Sequence, residues 1–161
     1  MKKIPLSQGK FTIVDDDDFE RVSQLKWSYI NGYAKRQMKR ADGRRRLLGL
    51  QRFIVGLDGD DPRVVDHING DTLDNRKENL RICTKRENTR NQRPKDRLGK
   101  STSIYKGVSW KNDMYKWRVR LAIDRKEVIV GYYVCEKEAA LAYNKAALEY
   151  FGEYAWLNDV D

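Results

Sequence analysis

Residues 116–121, "KWRVRL", alternate charged and apolar side chains without a break. Successive side chains of a β-strand point to opposite faces, so the alternation predicts a strand with one cationic and one apolar face. The cationic face would carry Lys116, Arg118 and Arg120, and the apolar face Trp117, Val119 and Leu121. Because an apolar face has to be covered, this segment restricts the fold to a sheet packed on another element.

The neighbouring segments supply the rest of such a sheet and its cover. Residues 104–112, "IYKGVSWKN", and 126–134, "KEVIVGYYV", predict two further short strands with turns between them. Residues 136–152 predict a helix with a face of small alanine side chains, which suits close packing on a sheet. The C-terminal third therefore predicts a three-stranded antiparallel sheet packed on one helix.

The N-terminal third is typical of short strands joined by tight turns. Residues 27–40, "WSYINGYAKRQMKR", predict a β-hairpin, because Asn31-Gly32 suits a type I′ turn and aromatic side chains flank it. A second turn is predicted at Asp42-Gly43, and the aspartates at residues 15–18 predict a turn and a helix cap. The hairpin is rich in cations, which favours contact with phosphates over an ordinary solvated face. These cations are Lys35, Arg36, Lys39, Arg40, Arg44, Arg45 and Arg46.

The charge balance narrows the class of partner. The 161-residue chain carries a formal net charge of +9, which favours nucleic acid, although a surplus kept for solubility stays open. No window approaches the roughly 18 apolar residues of a membrane span, and the N-terminus lacks the apolar core of a secretion signal. With one histidine and two cysteines, Cys83 and Cys135, the chain has too few ligands for a structural zinc site. Free thiols in a reducing cytoplasm are expected.

Residues 64–89, "VVDHINGDTLDNRKENLRICTKRENT", hold the one histidine of the chain, His67. Phosphodiester hydrolysis needs a base that activates water and a cation that neutralises the leaving oxygen. An imidazole can be that base, and a carboxylate with an amide oxygen can hold a hard cation such as Mg²⁺. Asp66 and His67 would point to opposite faces of a strand, one towards metal and one towards water. A turn-rich loop and a short helical region ending near Asn88 are predicted to follow, and a plain polar surface loop is the alternative.

The run "DHINGDTLDNRKENLR", followed by "ENT", resembles the HNH endonuclease motif of phage and intron-encoded homing endonucleases. The resemblance implies a β-hairpin plus a helix gripping one divalent metal, the ββα-metal finger. It implies His67 as the general base, with Asp66 and Asn88 as ligands of the metal. Mg²⁺ or Mn²⁺ is the expected cofactor, and zinc is not expected. The resemblance also implies that Asn79 braces the hairpin and orients the histidine.

The motif region has features particular to this chain. Asn88 stands where the last residue of the motif is His or Asn, which makes this an H-N-N variant. Relatives often carry a further histidine upstream, in a stretch like "HRLI", where this chain has "LQRFIVG" with Gln51. This difference keeps a non-catalytic DNA-binding protein as an alternative. Asn69 and Asn75 are predicted to be turn residues.

The C-terminal segment resembles the AP2/ERF DNA-binding domain over residues 104–158. The residues that follow the family order are Tyr105, Lys106, Gly107, Val108, Trp117, Gly131, Glu138, Ala139, Ala140, Ala142, Tyr143, Asn144, Gly152, Ala155, Leu157 and Asn158. The resemblance implies a three-stranded sheet that enters the major groove of DNA and a helix that supports it. Lys106, Trp110 and Lys111 are predicted to extend the cationic face on the first strand. The third strand departs from plant relatives at Glu127 and Ile129, so no base preference follows.

These features together predict an α+β chain: a ββα-metal nuclease region preceded by β-hairpins, then a small three-stranded antiparallel sheet packed on one helix. The predicted domains are 1–91, with the nuclease motif at 64–91, a basic linker at 92–103 and an AP2/ERF-like domain at 104–161. The predicted function is metal-dependent cleavage of double-stranded DNA by a homing-type endonuclease, monomeric or homodimeric, in the cytoplasm of the host of a phage or mobile element. The alternatives are a non-catalytic DNA-binding protein, such as a transcriptional regulator or a decayed homing enzyme, and an RNA-directed enzyme.

Overall fold

The computed structural model describes residues 1–39, 42–57, 60–91, 102–124 and 126–161. The chain divides into two compact units, Met1–Asn88 and Thr89–Asp161, and both mix helices with small antiparallel sheets. None of the helices in these ranges is long and apolar enough to cross a membrane. Arg40 and most of the predicted linker lie outside the described residues.

The first unit begins with a two-stranded antiparallel sheet and a helix. Strand β1, Lys2–Pro5, pairs with β2, Phe11–Val14, and helix α1 spans Asp16–Ser23. The run of aspartates was predicted to cap this helix, but Asp15 at the N-cap position makes no side-chain cap bond. Its carboxylate instead accepts the backbone N–H of Lys77 at 2.7 Å, so it joins α1 to the segment that precedes β7 below.

A second sheet forms from β3, Ser28–Ile30, β4, Tyr33–Lys39, and β5, Arg45–Gly49, followed by helix α2, Leu50–Ile54. Asn31 and Gly32 have φ angles of 52° and 87°, which confirms the left-handed turn predicted for the hairpin. The core of the unit includes Val14, Val22, Trp27 and Leu50, all of them buried. This core covers the face of the sheet that carries Ala34, and the other face of the sheet points outwards.

The only histidine lies on a third, two-stranded sheet. Strand β6, Val64–His67, pairs antiparallel with β7, Leu80–Cys83, and α3, Lys85–Arg90, follows. The strand predicted at Asp66 and His67 is confirmed, whereas the prediction of one helical region after the loop was wrong. Leu80–Cys83 forms a strand because it pairs residue by residue with β6, and the helix starts only where Thr84 and Glu87 form a reciprocal capping box.

The second unit has the predicted three strands and helix. Strands β8, Val108–Lys111, β9, Lys116–Ile123, and β10, Lys126–Tyr133, lie antiparallel in that order. Helix α4, Glu136–Phe151, covers one face through alanines that are themselves buried. Val119 and Leu121 are 0% and 2% exposed, which confirms the predicted apolar face of β9.

A close approach of backbone to helix fixes the start of β8. Gly107 has a φ of +76°, and a Cβ atom built there would lie 2.2 Å from the ring of Tyr143 on α4. Only glycine combines this backbone conformation with this lack of volume. The glycine of the sequence "YKG" is therefore required for the sheet to pack on its helix.

Candidate active site and nucleic-acid interface

The imidazole of His67 is enclosed by the loop that joins β6 to β7. The side chain is 4% exposed, and its Nε2 lies 3.3 Å from Oδ1 of Asn75, which is itself fully buried. The ring of Tyr33, the first residue of β4, lies 6.2 Å from the imidazole, centroid to centroid. The histidine is therefore held by groups from two other parts of the unit.

A chain of hydrogen bonds fixes the proton on one imidazole nitrogen. The hydroxyl of Thr12 donates to the carbonyl of Leu73 at 2.7 Å, so its oxygen is left to accept the Asn75 Nδ2 donor at 2.8 Å. With Nδ2 turned to Thr12, the amide presents Oδ1, an acceptor, to His67. Nε2 must then carry the proton, and the lone pair of the neutral ring lies on Nδ1.

The surroundings of His67 favour this neutral form. Burial lowers the pKa of His67 below its ordinary value of 6.5, and this effect outweighs the opposing influence of Asn75 and of the nearby carboxylates of Asp66, Asp71 and Asp74. A neutral imidazole with a defined tautomer can accept a proton at neutral pH. The site thus has the electronic state that a general base requires.

Asp66 lies on the other face of β6, where it pairs with Arg81. The guanidinium donates from Nε and Nη2 to the same carboxylate oxygen, at 2.9 and 2.7 Å. Both side chains are largely buried, and the two residues are direct cross-strand partners. An ionised carboxylate has lone pairs for about four partners, so this pairing is compatible with a further cation.

The charge of Asp66 and the backbone N–H of Asn88 both act on the thiol of Cys83. Burial and then the charge of Asp66 raise the pKa of the Cys83 thiol to about 11, and the backbone N–H of Asn88 opposes them. In the described part of the chain, no three His, Cys, Asp or Glu side chains come together to hold a metal. A carboxylate plus an amide oxygen is a smaller set, which suits Mg²⁺ because that ion keeps most of its waters.

Asn79 closes the loop between the two strands. Its Nδ2 donates to the carbonyl of Asp74 at 2.8 Å, and its Oδ1 accepts the backbone N–H of Asn69 at 2.9 Å. Asp74 is further held by Arg76, whose hydrogen bond is the main cause of a lowered pKa of Asp74. Asn79 is thus buried in the hairpin as a brace, while the described side-chain contact to His67 comes from Asn75.

Sequence reasoning missed three residues of this site. Asn75 was predicted to be a turn residue, and it does lie in the loop, but its amide also faces the imidazole. Thr12 is 63 positions from Asn75, and no local pattern links the two. The sequence identified Tyr33 only as an aromatic residue beside the Asn31-Gly32 turn and gave no indication that it lies near His67.

The cations of the N-terminal hairpin do not form one surface. Arg36 pairs with the buried Leu48 in the strand register and lies over the ring of Trp27, 5.9 Å from its centroid. Arg46 projects to the same side and pairs with Asp60 at 3.4 Å. Arg36 and Arg46 thus lie on the core side of the sheet, away from the outward cations, because alternate residues of a strand face opposite ways. The phosphate contacts predicted for these two arginines remain predictions. Lys35, Lys39 and Arg45 lie on the outward face, and Arg44 is in the turn, 84% exposed.

The outward face of the C-terminal sheet is cationic, although acids pair with some of its cations, and one of these pairs joins Lys111 to Asp113 at 3.3 Å. Lys111 pairs with Lys116 across β8 and β9, and Arg118 and Arg120 lie further along the same face. Glu127 on β10 contacts both of these arginines, Arg118 at 3.4 Å. The carboxylate removes part of the positive charge and holds the two guanidinium groups together.

Two residues predicted on that face lie elsewhere. Trp110 pairs with Trp117 and their rings meet edge to face at 5.1 Å, which places Trp110 on the side of the sheet that α4 covers. Lys106 precedes β8, and its ammonium donates to the carbonyl of Arg90 at 2.8 Å. Burial lowers the pKa of Lys106 to about 8. Trp110 is therefore excluded from the cationic face by the strand register. Lys106 is excluded because it lies before β8 in the chain.

Similarity to known proteins falls on the hairpin that carries the histidine and extends beyond it. A family model described as HNH endonuclease matches residues 59–90. An uncharacterized HNH endonuclease of Acanthamoeba polyphaga mimivirus is 31% identical over 163 residues, which cover 96% of this chain and 78% of that protein. No solved structure matches the chain. Because this identity runs through most of both proteins, the chain belongs to the HNH endonuclease family and is a nuclease.

Proposed function

We propose that the chain is a metal-dependent, homing-type endonuclease that hydrolyses phosphodiester bonds in double-stranded DNA. The observation that carries this proposal is the buried imidazole of His67, whose Nε2 faces Oδ1 of Asn75 at 3.3 Å. The viral source of the similar protein agrees with a phage or mobile element, and with action in the cytoplasm of its host.

In the proposed reaction, Nδ1 of His67 takes a proton from a water molecule as the water oxygen attacks phosphorus. The new P–O bond forms, the bond to the leaving oxygen breaks, and the leaving oxygen takes a proton from solvent. Asp66 and Asn88 would hold Mg²⁺ or Mn²⁺, which when bound neutralises the charge that develops on the leaving oxygen. Asn79 acts as a positioning residue, because it closes the loop that holds His67.

The hairpin of β6 and β7 followed by α3 supports assignment to the ββα-metal finger. In the second unit, the cationic face of the sheet supports an AP2/ERF-like role in locating the target. Lys111, Lys116, Arg118 and Arg120 would contact DNA there, chiefly at phosphates. A single active site per chain would nick one strand, and a double-strand break would take a homodimer or a second encounter.

A plasmid-nicking assay tests the catalytic proposal. Supercoiled DNA should be nicked with Mg²⁺ or Mn²⁺ and remain intact with EDTA. His67→Ala should lower the rate by about 10²–10⁴-fold, the usual contribution of a general base, and should leave DNA binding unchanged. Cleavage by this variant at the wild-type rate would exclude His67 as the base.

The dependence of cleavage on Mg²⁺ concentration distinguishes variants of the proposed metal ligands from a variant of the proposed base. Asp66→Asn and Asn88→Ala should raise the Mg²⁺ concentration that gives half-maximal cleavage, since each removes an oxygen ligand or its charge. His67→Ala should lower the rate at every Mg²⁺ concentration. If the Mg²⁺ requirement were unchanged in both ligand variants, the metal would lie elsewhere.

A further inference from the structure

The outward face of the N-terminal sheet carries lysine, arginine and glutamine side chains around one exposed apolar residue, Leu47, which pairs with Gln37 and is 53% exposed. In the strand register Lys35 pairs with Gly49, and Lys39 pairs with Arg45, so these side chains share one face of β4 and β5. The opposite face holds Ala34 and Leu48, which are 1% and 7% exposed and belong to the core. We call this outward surface the β4 strip and define it as Tyr33, Lys35, Gln37, Lys39, Arg45 and Gln51.

One end of the β4 strip meets the candidate active site. The Tyr33 ring lies 6.2 Å from the imidazole of His67, and Nζ of Lys35 lies 5.1 Å from the centre of the Tyr33 ring. The hydroxyl of Thr72, in the loop of the histidine hairpin, donates to the carbonyl of Gly32 at 2.6 Å. This bond fixes the start of β4 against the loop, so the order from imidazole to ring to ammonium is built into the unit.

The missing side chain at Gly49 brings Gln51 onto the same face. A Cβ atom at Gly49 would lie 2.6 Å from Oε1 of Gln51, so the amide occupies the space that any other residue would fill. Gln51 stands at the position where relatives of the motif often carry a histidine. Here it adds a neutral hydrogen-bonding group next to Lys35, the cross-strand partner of Gly49.

We propose that the β4 strip binds the phosphodiester backbone of the DNA strand that is cut, with Lys35 at the phosphate nearest the scissile bond and Lys39 and Arg45 further along. The proposal rests on the proposed function. The strip contains no acidic residue, and its cations all face one way. From Lys35 to Lys39 a strand extends about 13 Å, which is on the order of four nucleotides of axial rise along one DNA strand. Arg36 and Arg46, on the core side, are not part of this track.

The first measurement is the salt dependence of DNA binding in EDTA, which needs no cleavage. Lys35→Gln and Lys39→Gln should each reduce the slope of log K against log salt by about one, the change expected for one lost phosphate contact. Lys26→Gln, an exposed lysine of the same unit outside the strip, is the charge-matched control and should leave the slope unchanged. Equal slopes for all three variants and the wild type would overturn the proposal.

The second measurement assigns the strand and the phosphate. On a duplex that the wild type nicks, single phosphates of the cut strand are replaced by neutral methylphosphonates, and binding is measured. Neutralising the phosphate that Lys35 contacts should weaken wild-type binding about tenfold and should have no further effect on Lys35→Gln. Lys35→Arg, which keeps the charge, should restore the sensitivity.

The outcomes separate this proposal from the one before it. A wild type that cuts no DNA with Mg²⁺ or Mn²⁺ but shows the predicted slopes would support phosphate binding by the β4 strip, overturn its assignment to a cut strand and refute the nuclease mechanism. A wild type that cuts while Lys35→Gln and Lys39→Gln behave like Lys26→Gln would refute the strip alone. If binding were weakened only by neutral phosphates on the uncut strand, the assignment of the β4 strip to the cut strand would be overturned. If Lys35→Gln failed to fold, Lys39→Gln, at an exposed position, carries the same test.

Discussion

At His67, burial and the neighbouring acids act in opposite directions on one proton. Burial dominates and lowers the pKa below 6.5, while Asn75 and three aspartates limit the effect. The consequence is a ring that stays neutral at physiological pH and carries its proton on a known nitrogen. Both properties depend on residues that never touch the reacting phosphate in the proposed mechanism.

The lowered pKa of His67 makes stability depend on pH. The unfolded chain binds a proton at this residue near pH 6.5, and the folded chain binds it only at lower pH. This contribution to stability is therefore complete above pH 6.5 and is lost as the pH falls from there towards the lowered pKa. Urea unfolding should show a slope of at most about 1.4 kcal/mol per pH unit in that window. His67→Asn should remove the slope, and an unchanged slope would assign it to other groups.

Replacing the amide of Asn75 by a carboxylate tests its control of the imidazole. Asn75→Asp adds a negative charge next to Nε2, so it should raise the pKa of His67 and move the acidic limb of the rate–pH profile to higher pH. Single-turnover cleavage across the acidic range measures the shift. Thr12→Val removes the acceptor of the Asn75 amide together with the hydroxyl donor to the Leu73 carbonyl, and it should lower the rate without adding charge. Identical limbs in Asn75→Asp and wild type would contradict the assignment.

The C-terminal sheet and the histidine hairpin show what sequence periodicity can and cannot determine. The alternation in β9 predicted the buried Val119 and the outward Arg118 correctly, because the period-two rule acts within one strand. Trp110 was misplaced because its face depends on pairing with Trp117, and register is a property of two strands. Asn75 was underestimated because its decisive partner, Thr12, is remote in the chain.

At the scale of elements, the fit of β8 onto α4 depends on Gly107. Gly107→Ala forces a left-handed φ onto alanine and drives its Cβ into the Tyr143 ring. Gly152→Ala is the matched control, since Gly152 also has a positive φ but nothing lies within 4 Å of its Cβ position. The control should cost about 1–2 kcal/mol of unfolding free energy, and Gly107→Ala should cost about 1–3 kcal/mol more. Equal losses by urea unfolding would show that both the Tyr143 ring and the backbone carbonyl of Arg120, which lies 2.7 Å from the built Cβ, move aside.

For the whole molecule, the net charge of +9 is distributed over both units. The proposed division of labour predicts that changes on the C-terminal sheet alter binding but not chemistry. Lys116→Gln and Arg120→Gln should each reduce the salt slope of DNA binding by about one. At saturating protein, the Mg²⁺-dependent cleavage rate should remain that of the wild type. A fall in the saturated rate would show that the second unit takes part in the cutting step.

The hydrogen bond that the Asn75 amide donates to Thr12 also limits how this nuclease can be transplanted. The segment that the family model matches, residues 59–90, contains the histidine and the residues proposed to hold metal, but not strand β2. A graft of that segment alone into another scaffold would leave the Asn75 amide without its acceptor, and it could then rotate and present Nδ2 to the imidazole. The tautomer would be lost while every motif residue was retained. The smallest portable cassette for this chemistry therefore includes Phe11–Val14 as well as the hairpin.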